Sequence, residues 1–165
     1  MLDFLPEILK EMLQETKWQI VSNTLIVTKE NWEYSEALKF QQTAHQFIVE
    51  NKAYKIFIFC NHPHCFTMGK GLQKEKGKKI SELVDFNPSM EQLLPYPLHH
   101  IKRGGGITFH YSGQWIFYPI VNLSYKEFTL ESLMDWILSN IIDVLWKSFG
   151  IQDLNSKNKL AGVWY

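Results

Sequence analysis

Arg103-Gly104-Gly105-Gly106-Ile107-Thr108-Phe109-His110 is the stretch of this sequence best suited to chemistry. Three consecutive glycines let the backbone approach a ligand closely and offer several N–H donors. The arginine in front adds charge and a hydrogen-bonding fork. His110 falls where a strand is expected to end, beside a further turn at Ser112-Gly113. Such a loop suits an acyl carbonyl or a phosphate-bearing group; taken alone, it equally suits a tight structural turn with a solvated arginine. A second concentration is Cys60, His62, His64 and Cys65. Zinc motifs space their ligand pairs so that one ion is embraced, whereas here two histidines flank Pro63 directly. The reading adopted is Cys60 in a strand core and His62 holding a loop by hydrogen bonds, with no metal. Cys65 as a nucleophile paired with His110 is a further arrangement, since a thiol nucleophile needs a nearby base or cation.

These residues need elements to hold them. Leu5, Ile8, Leu9, Met12 and Leu13 recur at helical spacing, so a short amphipathic helix opens the chain. Residues 18–28 read as strand around a turn at Ser22-Asn23. Tyr34, Ala37, Leu38, Gln41, His45 and Ile48 then mark a helix face, with Asn31 as its cap. Tyr54 to Cys60 is a buried-strand candidate. Ile107–His110 and Trp115–Leu123 are expected to be two strands joined as a hairpin at Ser112-Gly113. The final helix carries Leu133, Ile137, Ile141, Val144, Leu145 and Phe149, with Thr129 capping its start and Gly150 its left-handed stop. Short connections favour antiparallel pairing, giving an α+β fold with a mixed, largely antiparallel sheet flanked by helices. The whole of 1–165 is expected to be one domain.

Composition narrows the class. Hydrophobic residues make up 45% of the chain, enough for a packed core. Lys+Arg and Asp+Glu both number 17, so net charge points to neither nucleic acid nor membrane. No apolar run is long enough to span a bilayer, and Met1–Lys17 carries four acids in place of a basic leader. A cytoplasmic location is expected. Lys70, Lys74, Lys76, Lys78 and Lys79 form a local basic segment, either a solvated loop or a docking surface.

Arg103 to Gln114 (RGGGITFHYSGQ), followed by Tyr118-Pro119, resembles the signature of lipoyl(octanoyl) transferases, approximately R-G-G-x-x-T-[YF]-H-x-x-G-Q and then Y-P. His62-Pro63 with Thr67-Met68-Gly69 is similar to the family's H-P-x-x-[FY]-T-x-G segment, and Tyr34 with Ala37-Leu38 to its Y-x-x-A-L helix. Gly162-Val163-Trp164 is similar to a G-V-W strand that precedes the family's catalytic lysine. Tyr111-Ser112 departs from the usual Gly-Pro. Residues 1–17 lie outside the resemblance.

The resemblance implies a biotin/lipoate ligase-like fold and a two-step thioester exchange without metal or cofactor. A cysteine takes octanoyl from acyl carrier protein, and a lysine of a lipoyl domain removes it as an amide; the acceptors would be 2-oxoacid dehydrogenases and the glycine cleavage H protein. It places Arg103, Gly104, Gly105, Gly106, Ile107, Thr108, Phe109 and His110 in the substrate pocket, supported by Thr67, Gly69, Gly113 and Gln114. Ile107, Phe109 and Phe66 are either acyl-groove lining or ordinary core. A β-branched residue at Gly105 is expected to harm binding more than stability. The family's lysine and cysteine follow G-V-W, which places both beyond Tyr165, the last residue of the sequence. A C-terminally truncated catalytic domain is therefore expected, ending mid-strand on Val163, Trp164 and Tyr165, with no catalytic residue inside it. The alternatives are an ATP-dependent lipoate–protein ligase, whose glycine loop typically reads S-G-G-G-x-V-x-H-D-x-G-N, and, for a chain complete at Tyr165, a non-catalytic module that binds a carrier protein or lipoyl domain.

Overall fold

The computed structural model describes residues 4–71, 88–124, 129–154 and 163. The chain divides into two compact units, 1–121 and 122–165. Lys74, Lys76, Lys78, Lys79, Gly162, Trp164 and Tyr165 lie outside the described residues. The expected strand ending at Tyr165 falls there too: Val163 is described, without strand pairing, and its neighbours on both sides are not.

The first unit opens with a short helix, α1 (Glu7–Met12), and a hairpin of β1 (Lys17–Val21) and β2 (Thr24–Lys29). Helix α2 (Tyr34–Glu50) leads to β3 (Lys55–Cys60) and β4 (Cys65–Gly71). After a 3₁₀ turn at Pro88–Leu93 come β5 (Leu98–His100), β6 (Gly105–His110) and β7 (Ile116–Ile120). Two mixed sheets result, ordered β1-β2-β3-β7 and β5-β4-β6. Strands β2 and β3 run parallel, with α2 in the crossover between them, as parallel neighbours require. The expected mixed α+β architecture is present, with its strands divided between two sheets.

The core lies between the helices and one face of the four-stranded sheet. Leu5, Leu9 and Leu13 around α1 meet Phe40, Ala44, Phe47 and Ile48 of α2, over Leu25, Val27, Ile56, Ile58 and Cys60. Burying one such side chain contributes about 1.5–3 kcal/mol. The amphipathic start is therefore an integral part of the core. The buried stripe of α2 differs from the expected one: Phe40, Ala44 and Phe47 are inside, while His45 is exposed. Asn31 does not cap α2. Glu33 occupies that position without a side-chain bond, and Asn31 adopts φ 48° with its N–H donating to Asn61 Oδ1 at 2.7 Å. Asparagine tolerates the left-handed region that this loop needs.

The expected hairpin at Ser112-Gly113 is not formed. Strand β6 pairs with β4 and β7 pairs with β3, so the chain changes sheets between them. The turn signal is local, whereas sheet membership is set by distant partners. Two crossing links run side by side: residues 61–64 join β3 to β4, and 111–115 join β6 to β7. Cys60 pairs with Ile116 on one side of the corner and Cys65 with His110 on the other.

In the second unit, α3 (Leu130–Phe149) begins and ends as its sequence dictates. Thr129 Oγ1 accepts from the Ser132 N–H at 3.1 Å, and Gly150 closes the helix at φ 67°. Leu133 is buried, while Trp136, Val144, Trp146 and Phe149 are exposed.

Candidate active site

The corner where the chain changes sheets collects the polar residues. Strand alternation decides which of them share a face. Cys65 and Thr67 of β4 stand opposite His110 and Thr108 of β6, with His99 of β5 beside Thr67. Phe66 and Phe109 point to the other face and pack at 4.9 Å between ring centroids. The run 103–110 is therefore two surfaces: Thr108 and His110 join the polar corner, while Ile107 and Phe109 belong to the opposite face.

On that opposite face an aromatic ladder extends through His64, Tyr96, Phe109 and Tyr111, with neighbouring centroids 4.9, 5.8 and 6.1 Å apart. Tyr111 thus replaces the usual glycine with a stacked ring.

In the polar corner, Tyr34 at the start of α2 contacts His62, His99 and His110, at centroid distances of 5.1, 4.8 and 5.9 Å. His62 is fully buried. Its Nδ1 lies 2.6 Å from the Trp32 carbonyl, and its Nε2 lies 3.2 Å from the Tyr118 hydroxyl. The loop-holding role expected of His62 is thus realised, tying the β2–α2 loop to β7. Cys60 is buried in β3, with Sγ 3.9 Å from His62 Nε2. Burial pushes its thiol up to about 12.

Arg103 folds back over the strands. Its Nη2 donates to Thr67 Oγ1 at 3.0 Å and to Thr108 Oγ1 at 2.5 Å, and its Nη1 donates to the Gly104 carbonyl at 2.9 Å. The Lys70 N–H donates to the Arg103 carbonyl at 2.9 Å. This docking is possible because residue 69 is glycine. A Cβ there would come within 2.4 Å of the Gly105 carbonyl oxygen and 2.7 Å of that of Gly104. Gly105 has φ 77°, whereas a Cβ on Gly104 would meet no atom within 4 Å. Gly104 is thus the exposed tip of the loop. Gly113 lies in the link after His110, where a Cβ would press on the Tyr111 ring at 2.9 Å.

His110 bonds to Thr67 Oγ1 through Nε2 at 3.2 Å and to Gln114 Oε1 through Nδ1 at 2.9 Å. Burial, opposed by the Gln114 bond and reinforced by the Arg103 charge, holds its pKa below the usual imidazole range. His62 is lowered chiefly by burial as well. Burial raises Cys65 above the usual thiol range, which suppresses the thiolate that a nucleophile requires. Sequence reasoning located Thr67, Gly69, Arg103, His110 and Gln114, which the structure brings together. It missed His99, which stands in no run whose spacing signals chemistry, and it named Tyr118 only as part of the Tyr118-Pro119 pair, without the place beside His62 that the structure gives it.

Fold and site together define an α+β domain in which a glycine-rich loop, docked by its own arginine, caps a polar corner between two sheets. Residues 33–165 match the model of the lipoyl protein ligase A/B catalytic domain, and the chain belongs to this family. It is 32% identical to an octanoyltransferase of Bacteroides thetaiotaomicron, over 79% of this chain and 56% of the relative. To an octanoyltransferase of Bacteroides fragilis it is 29% identical, over 90% of this chain and 61% of that protein. An octanoyltransferase of Nostoc is 30% identical over 66% of this chain and 44% of its own length. The chain thus spans roughly half to three-fifths of these curated relatives, and the match to the family runs up to Tyr165 itself. A crystal structure of P. falciparum LipL1 in complex with lipoate aligns at a TM-score of 0.48 and 11% identity, covering 82% of this chain and 39% of that one. No helix among the described residues is long and apolar enough to cross a membrane.

Proposed function

We propose that this protein acts in octanoyl transfer from acyl carrier protein to lysines of lipoyl domains, including those of 2-oxoacid dehydrogenases and the glycine cleavage H protein. The observation that carries the reading is the docked loop: Arg103 pins it to Thr67 and Thr108, leaving Gly104 as a tip with open space around it. An acyl thioester carbonyl can approach backbone at such a tip, where N–H donors would stabilise developing negative charge. The curated relatives named octanoyltransferase support the same activity. Burial, which also raises both thiols, argues against Cys60 and Cys65 as the nucleophile in this reading. The catalytic lysine and cysteine that the resemblance implies would follow Tyr165. The basic segment from Lys70 to Lys79 would steer an acidic carrier, so that affinity falls with salt.

The test adds octanoyl-loaded carrier protein to the ¹⁵N-labelled chain. Amide shifts concentrated at Gly104, Gly105 and His110, absent with unloaded carrier, are expected. Loaded carrier that leaves these amides unmoved, or the same shifts produced only by lipoate with ATP, would overturn the reading, the latter in favour of a ligase.

A further inference from the structure

Thr67 has no exposed surface, yet it carries a hydroxyl that must place both a proton and lone pairs. On one side it meets Arg103 Nη2 at 3.0 Å. A guanidinium only donates, so Thr67 Oγ1 accepts there. Its own proton remains to be donated, and His110 Nε2 at 3.2 Å is the acceptor it meets. A nitrogen that accepts carries no proton, so the neutral ring bears its hydrogen on Nδ1. That nitrogen faces Gln114 Oε1 at 2.9 Å, an oxygen that can only accept. The three bonds agree in direction.

We infer that Arg103, Thr67, His110 and Gln114 form a one-way hydrogen-bond chain that holds His110 neutral as its Nδ1–H tautomer, with Thr67 as the positioning residue acting through it. The opposite tautomer would aim a second N–H at the Thr67 oxygen and leave the Thr67 proton without its acceptor in a buried site. Charging His110 would place a cation in the network of Arg103. Among the described residues, the groups facing it offer no counter-charge: Tyr34 from α2, His99 from β5, Cys65 from β4 and His62 from the 61–64 link. Glu33 acts on His62 rather than on His110.

Two consequences follow for the site. With Nε2 engaged, His110 takes no proton from Cys65 or from a substrate; it is a fixed neutral member of the polar corner. Its ring orientation is also coupled through Thr67 to Arg103, and so to the glycine loop. The inference rests on these bonds and not on the octanoyl reading, and its readout needs no turnover.

Imidazole ¹H–¹⁵N correlation spectra of the labelled chain test it. At neutral pH, His110 should show a pyrrole-type Nδ1 and a pyridine-type Nε2. Thr67→Ser should preserve that pattern, and Thr67→Val should mix the tautomers. Gln114→Glu, which sets a carboxylate on Nδ1–H, should raise the His110 pKa by about 1 unit or more. Should Thr67→Val not fold, Gln114→Leu removes the acceptor from the other end and should mix the tautomers equally. A wild-type ring protonated on Nε2, a charged ring at neutral pH, or variants whose tautomer ratio matches wild type would overturn the inference.

Discussion

Three glycines illustrate how differently one residue type can act. Gly69 is needed for close approach. In Gly69→Ala the new Cβ meets three backbone carbonyls, which cannot rotate away as a side chain can. Overpacking of this kind costs about 1–3 kcal/mol. The variant should lower the urea midpoint and shift the amides of 103–106. Gly105 is needed for its φ of 77°, a region that costs other residues about 1–2 kcal/mol. The effect of Gly105→Val therefore includes stability as well as binding. Gly104 faces open space, so Gly104→Ala should leave stability within about 0.5 kcal/mol of wild type while weakening the response to octanoyl carrier protein. Sequence made all three visible as glycines but could not distinguish them. The difference lies in what each Cβ would touch, and for Gly69 that is a loop more than 30 residues away.

Elements were legible where local chemistry decides. Thr129 and Gly150 bound α3 because a cap and a left-handed stop involve only near neighbours. The β1–β2 turn is equally local, and its detail gives a further test. Val21 pairs with Thr24, leaving a two-residue loop in which Ser22 has φ 56°. Among two-residue hairpin turns, the type with positive φ at its first position alone prefers glycine there. Ser22→Gly should raise stability by about 0.5–1 kcal/mol, strain relief outweighing the added freedom of the unfolded chain. Chemical denaturation checks it; a lower midpoint would count against the turn geometry. The missed element was the corner. Ser112-Gly113 reads as a hairpin because turn chemistry says where a chain bends, but not which strand each arm will join. The pairing of Cys65 with His110 and of Cys60 with Ile116 makes that choice. The four residues of 61–64 run against the five of 111–115, so a one-residue offset separates the two registers. Such an offset exchanges the faces of a strand.

At the scale of the molecule, the corner makes the fold sensitive to acid. His62 and His110 are both held below the usual imidazole range, chiefly by burial, so the unfolded chain binds more protons than the folded one once pH falls below about 6.5. Stability contributed by these groups is complete above that value and is lost as pH falls through the window beneath it. Urea midpoints should decline between pH 7.5 and pH 5.5 by more than in a His62→Gln variant. The same corner has a kinetic side. His62 meets Tyr118 across 56 positions, Thr67 meets His110 across 43, and Arg103 reaches back 36 to Thr67. Contacts so distant in sequence form slowly, because loop closure must come before any of them stabilises the chain. The corner therefore has no early, locally folded precursor. During refolding, recovery of the native Gly104 and His110 amide signals should coincide with the slowest folding phase, well after helical circular dichroism has returned, which makes the corner a reporter of completed folding.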